Sequence, residues 1–156
     1  MTTSRLLLLG AIGLALLALA LRVVPHHADP ALVADPVRTP GVVNPDVTQA
    51  TIGSTICVRG WTRTVRPPTD YTNELKLKQM GEYGVGGSAS DYQEDHLISL
   101  ELGGHPTDAR NLWPEPYPRA ADVDRIENEL NAQVCGGTLS LRDAQEREST
   151  LKHTQG

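Results

Sequence analysis

Glu94, Asp95 and His96 stand side by side, and Asn111 follows about fifteen residues later with Gly103-Gly104 between them. These residue types move protons and hold cations. An imidazole serves as a general base near neutral pH when its second nitrogen is held, because that hydrogen bond fixes which nitrogen keeps the lone pair. An Asn carbonyl or a backbone carbonyl can hold it. Adjacent side chains on a strand point to opposite faces. Asp95 and His96 therefore separate within a strand, whereas at a strand end they can diverge onto a metal and a proton. A glycine turn that closes a hairpin brings His96 and Asn111 near each other.

The elements that would position these groups can be read on either side of the turn. Leu97, Ile98, Leu100 and Leu102 are strand-like, and Asn111-Leu112-Trp113 can return as the second strand. Pro114, Pro116 and Pro118 oppose helix there. A helix is expected from about Ala120 to Gln133, with Val123, Ile126, Leu130 and Val134 at helical spacing. On it, Asp124 and Glu127 share a face and can both turn toward the hairpin, while Asp122 and Glu129 suit a solvated face. Ser140-Leu141-Arg142-Asp143 opens a last helix as a capping box, and its polar sequence predicts weak packing. Upstream, Thr55–Val58 and Trp61–Val65 are β-branched and aromatic, which predicts a strand pair or a bulged strand. A helix over Tyr71–Met80 follows, with Tyr71, Leu75 and Lys78 along one face and Gly81 as its stop. The segment from Gly84 to Ser90 reads as a flexible loop. The class is α+β.

The chain of 156 residues allows one domain, expected over 51–150. Before it, Arg5 and the apolar run Leu6–Leu21 with Ala18-Leu19-Ala20 make residues 1–24 a signal peptide or an N-terminal membrane anchor. Both place the domain outside the cytoplasm, secreted or periplasmic. Residues 25–50 hold five prolines and no apolar periodicity, and predict a disordered linker in which His26 and His27 are solvated.

Cys57 and Cys135 are the only cysteines, and no C-x-x-C or matching ligands suggest a zinc site. In an oxidising compartment they predict one disulfide, which would stabilise by about 4 kcal/mol in the chain-entropy model. The net charge of −5 argues against a protein that coats nucleic acid non-specifically. It allows a local basic groove, for which Arg59, Arg63, Arg66, Lys76 and Lys78 are the candidates. With no Phe in the chain, Trp61 and Trp113 are expected in the core. His105 precedes Pro106 in a loop and is expected to be solvated.

Asp95-His96-Leu97-Ile98, Gly103-Gly104 and Asn111-Leu112-Trp113, in this order and spacing, resemble the core of HNH (His-Me finger, ββα-metal) endonucleases. A wider resemblance, over about Ile56–Ala144, is to small exported bacterial HNH-like proteins. It rests on Cys57 to Thr62, Val65 to Pro68, Asn111 to Glu115 and Val134-Cys135. The resemblance implies a ββα-metal hairpin and helix, with an extra N-terminal strand and helix and a C-terminal helix. It implies Asp95 as metal ligand, His96 as the base that activates water, and Asn111 as the group that orients His96. A divalent ion would stabilise the phosphate and its leaving oxygen, and the following helix would add a second ligand.

Two departures stand out. No His lies between His105 and His153, so the usual helix histidine is absent and Asp124 and Glu127 stand in for it. Carboxylate ligands favour Mg²⁺ or Ca²⁺ over Zn²⁺. Ser99 also occupies a position where the family pattern has Pro. The implied activity is metal-dependent cleavage of nucleic acid, DNA before RNA, with nothing pointing to a protein partner. The alternative is an HNH-like scaffold that has lost catalysis and serves as an exported binding or structural domain.

Overall fold

A computed structural model describes residues 32–156. The expected leader segment 1–24 and residues 25–31 of the expected linker, His26 and His27 among them, lie outside the described residues. Two strands, β1 (Tyr92–His96) and β2 (Leu112–Pro116), pair antiparallel with Asp95 opposite Trp113 and His96 opposite Leu112. The expected return strand is therefore present, and β1 ends on His96.

The first strand lies earlier than its apolar pattern suggests. Leu97, Ile98, Leu100 and Leu102 follow it as a turn containing a 3-10 turn over Leu100–Leu102. All four are buried because protein covers them on several sides. An uninterrupted apolar run needs such cover and does not specify a strand by itself.

Gly103 and Gly104 then let the backbone close. Gly103 has φ 76°. A Cβ on Gly104 would sit 1.7 Å from the Ile98 carbonyl oxygen and 2.7 Å from Asn111 Nδ2, so only glycine fits there.

Four helices surround the hairpin: α1 (Thr62–Val65), α2 (Thr69–Tyr83), α3 (Tyr117–Cys135) and α4 (Leu141–Thr154). The strand pair expected over 55–65 is replaced by tight turns and α1. Successive bonds such as Val58 N–H to Thr55 O and Thr64 N–H to Trp61 O satisfy this backbone locally, so it needs no partner strand. In α2 the buried residues are Lys76, Gln79 and Met80, while Tyr71 and Leu77 stay exposed, and the helix ends at left-handed Gly84 instead of Gly81. The loop after it is closed by a capping box between Ser88 and Asp91.

Helix α3 begins at Tyr117, earlier than expected, because Pro118 falls in its first turn where a missing N–H costs nothing. Val123 on its inner stripe is buried, and Leu130 and Val134, with Ile126 packed against them, join Val47, Ile56, Ile98, Leu102, Leu141 and Ala144 in the main core. Trp113 is fully buried beside Ala34 and Leu97. The disulfide Cys57–Cys135 is present and ties the start of the domain to the end of α3.

Two expectations from polarity fail for the same reason. Ser140 caps α4 as expected, yet this polar helix packs closely, burying Glu148 and Lys152 along with Leu141 and Ala144. Residues 32–50, expected as tether, lie along the domain. Ala34 N–H donates to Lys152 O, His105 N–H donates to Val42 O, and Val43 bridges Gly104. In both segments, polar groups meet partners distant in sequence, a pairing that local composition does not reveal. None of the helices among the described residues is long and apolar enough to cross a membrane.

Candidate functional site

His96 closes β1 at the floor of a polar groove. Two adjoining cavities of about 260 and 350 Å³ share Arg66, Gln93, Asp95, His96 and Asp124 in their walls. The His96 ring is buried, and its Nε2 lies 3.0 Å from the Pro106 carbonyl oxygen. A carbonyl only accepts, so Nε2 carries the hydrogen and Nδ1 keeps its lone pair. Burial lowers the His96 pKa below its ordinary 6.5, and the Lys152 and Arg66 charges add to this against the opposing pull of Asp95 and Pro106. The imidazole is thus neutral at pH 7, in the tautomer a base requires.

Asn111 does not do this work. Its Oδ1 accepts from Val42 N–H at 3.3 Å and Ile98 N–H at 3.0 Å, and its Nδ2 donates to the Ile98 and His105 carbonyls at 3.0 and 3.1 Å. The expectation that Asn111 orients His96 is corrected: the holder is the Pro106 carbonyl. Asn111 instead locks the glycine turn and the N-terminal segment together. His105, expected in solvent, is half-buried, and its Nδ1 accepts from the N–H groups of Thr107 and Asp108 at 3.3 and 3.0 Å.

Asp95 and Glu127 do converge, but on an ammonium group that sequence reasoning did not anticipate. Lys152 Nζ is 2.6 Å from Asp95 Oδ2, 2.6 Å from Glu127 Oε1, 2.5 Å from the His96 carbonyl oxygen and 3.5 Å from Glu148 Oε1. Lys152 and Glu148 are wholly buried. Glu148 is fixed in turn by Ser99, whose N–H donates to both its oxygens at 2.9 and 3.0 Å. Proline at position 99 would have no such hydrogen. The departure at Ser99 and the α4 charges are therefore one structural unit.

The surrounding acids respond to burial and to one another. Burial pushes the Asp95 pKa up, but the Lys152 charge and hydrogen bond, with His96 and Gln93, outweigh it and leave Asp95 below its ordinary value. Glu127 goes the other way: burial raises it well above the usual carboxylate range, the charges of Asp95 and Glu148 add to this, and Lys152 opposes it. Glu115 is fully buried beside Asp95, the group its carboxyl faces. Burial, with the Asp95 charge, raises it to about 8. Glu94 is also raised to about 8, by burial against the pull of Lys76. Lys152 would be lowered by burial, but its acids hold its pKa well above the ordinary 10.5. At neutral pH the centre therefore contains a charged ammonium and a charged Asp95, with Glu115 and the neighbouring Glu94 keeping their protons.

The remaining candidates are scattered around the groove. Asp124 is exposed on the groove wall, its pKa raised by burial and by Asp95. Arg66 reaches both cavities. Arg59 and Arg63 are exposed, Arg59 beside a separate cavity near the disulfide. Lys76 is buried and donates to the Tyr92 carbonyl oxygen at 2.9 Å, while Lys78 pairs with Glu82 at 3.6 Å. The groove is mixed in charge, with Arg66 as its exposed cation, and the five basic residues do not line it together.

Among the described residues no group of three or more His, Cys, Asp or Glu is arranged to hold a metal ion. Asp95 Oδ2 is taken by Lys152, whereas Oδ1 faces Gln93 Nε2 at 3.1 Å. Comparison of the chain with known families, curated proteins and solved structures finds no match.

Lys152, Glu148 and Glu115 are the residues that sequence reasoning missed. Glu148 and Lys152 stand four apart on α4, a spacing that ordinarily marks an exposed ion pair.

Proposed function

We propose that the chain is a phosphodiester hydrolase acting on nucleic acid outside the cytoplasm, with His96 as the general base. The observation that carries this reading is the His96 ring itself. It is neutral, held at Nε2 by the Pro106 carbonyl, and borders a polar groove with a carboxylate beside it. His96 Nδ1 takes the proton of the attacking water, and the fixed ring spares the cost of orienting the base. Arg66, the exposed cation of the groove, binds the phosphate. The Cys57–Cys135 bond suits an oxidising compartment.

Asp95 and Asp124 fit a hard, largely hydrated ion of the Mg²⁺ class, which needs only one or two protein carboxylates. They do not fit Zn²⁺, which favours several imidazole or thiolate ligands. When bound, such an ion supplies charge stabilisation at the phosphate.

Plasmid nicking by the purified oxidised protein tests the proposal, with Mg²⁺, Mn²⁺ or Zn²⁺ supplied in turn. Nicking with Mg²⁺ or Mn²⁺ that falls at least a hundredfold in His96→Ala is expected. Absence of metal-dependent nicking, or nicking unchanged in His96→Ala, would reject it.

A second reading has its own support. Lys152 already neutralises Asp95 and bonds Glu127. This favours a scaffold of the same fold that binds a partner without hydrolysis, and an inactive wild-type protein would select it.

A further inference from the structure

The chain has two Trp, four Tyr and no Phe, and all but one of these aromatic rings are committed to the fold. Trp113 is buried beside Leu97, and Trp61 packs against the main core. Tyr83 lies 6.4 Å from Trp113 between ring centres, and its hydroxyl bonds Thr39. The hydroxyl of Tyr92 donates to the Gly86 carbonyl oxygen, and that of Tyr71 to the Thr107 carbonyl oxygen. Tyr117 differs. It opens α3 with half of its surface exposed, and among the described residues it has neither a hydroxyl partner nor a ring neighbour.

Its place is the groove. Tyr117 stands in the wall of the cavity of about 350 Å³ that His96 and Arg66 also line. Helix α2 faces the same space with Thr69, Thr72 and Asn73, whose spacing puts them on one side of the helix. The Thr72 hydroxyl donates to the Thr69 carbonyl oxygen at 3.1 Å, whereas the Asn73 amide and the Thr69 hydroxyl make no hydrogen bond among the described residues. An open aromatic face and free side-chain donors and acceptors therefore surround the imidazole.

Charge separates a duplex from a single strand as the occupant. Duplex DNA is held largely by many Lys and Arg contacts to its phosphates, and its base faces are hidden in the stack. In this cavity Arg66 is the exposed cation, Lys76 is engaged by the Tyr92 carbonyl oxygen, and Asp95 and Asp124 face the same space. Such walls suit a duplex poorly. A single strand presents bare base faces, and stacking on an aromatic side chain needs no array of cations.

We propose that the groove takes a single strand of nucleic acid, with Tyr117 stacking a base beside His96 and the Asn73 and Thr69 side chains bonding that nucleotide's polar edges. The inference rests on the nucleic-acid reading of the groove and names the form of its substrate. Negative supercoiling favours local strand separation, so nicking of a supercoiled plasmid accords with it.

Fluorescence anisotropy of short labelled oligonucleotides tests the proposal, with the oxidised protein and EDTA present so that no strand is cut. Single-stranded DNA and RNA of one sequence are compared with the matching DNA duplex, which also tells the two polymers apart. At least one single strand should bind about tenfold or more tightly than the duplex. Tyr117→Ala should weaken that binding about tenfold, and Tyr117→Phe, which keeps the ring, should stay within about twofold of wild type. The salt dependence of binding should be unchanged in Tyr117→Ala, because the ring neutralises no phosphate, and shallower in Arg66→Ala. Failure of both single strands to bind more tightly than the duplex overturns the proposal. So does wild-type affinity in Tyr117→Ala, or a Tyr117→Phe protein as weak as Tyr117→Ala. Tight single-strand binding by a protein that cuts nothing would remove hydrolysis alone, whereas cleavage without preference for single strands would remove this inference alone.

Discussion

Two buried polar centres flank the glycine turn, and they are satisfied in opposite ways. Around Asn111, one neutral amide exchanges four hydrogen bonds with backbone groups of Val42, Ile98 and His105. Donors and acceptors match, and nothing there titrates. Around Lys152, a single cation serves more acid than it can neutralise, so Asp95 stays charged while Glu127 and Glu115 are driven toward their protonated forms. The first centre is a fixed joint. The second is an electrostatic compromise whose occupancy by protons can change, which is what a functional site needs and a joint does not.

The comparison can be broken first at Lys152. Lys152→Met keeps the apolar stem out to the last carbon and removes only the charged nitrogen. It leaves Asp95 buried and uncompensated and should cost about 3–5 kcal/mol in urea denaturation at pH 7. The loss should shrink in acid, where Asp95 gains a proton. A small loss that is the same at every pH would mean that the ammonium does little in the folded state.

Asn111→Ala should come next, at about 2–4 kcal/mol, because it strands several buried backbone groups together. Its cost should not vary between pH 5 and pH 9. A marked pH dependence would show that the two centres are coupled through the turn.

Glu115→Gln should have the smallest effect near pH 4 and a growing one as pH rises. The folded chain holds the Glu115 proton up to about pH 8, whereas the unfolded chain releases it near 4.5. Wild-type stability should therefore fall as pH rises through that interval and level off above it. The glutamine variant lacks this slope. It should match wild type near pH 4 and be roughly 4–5 kcal/mol more stable at pH 9. Parallel melting curves for the two proteins across that range would show that Glu115 is ionised in the fold.

Several parts of the architecture were legible in the sequence because their causes are local. The α3 stripe, the Ser140 cap and the return strand over Leu112 follow from periodicity and capping chemistry, and the disulfide follows from a lone pair of cysteines. The divergence of Asp95 and His96 also followed from their adjacency once β1 stopped at His96. Local composition misled at Thr55–Val65, where β-branched residues form turns and a short helix and no strand among the described residues lies alongside. It misled again over 32–50, where a proline-rich stretch gains order from backbone bonds to the glycine turn and to α4.

The amino-acid order by itself determined which groups could act: an imidazole at a strand end, acids on the next helix, a glycine turn that admits only glycine. Which of them meet was decided in three dimensions. Lys152 and Asp95 are 57 residues apart, and a lysine on a polar helix looks like every solvated lysine until the helix is docked. Coulomb attraction acts through space and leaves no periodicity along the chain. The burial of Lys152 among its acids, and the engagement of Asn111 with the backbone, are therefore properties of the packed molecule.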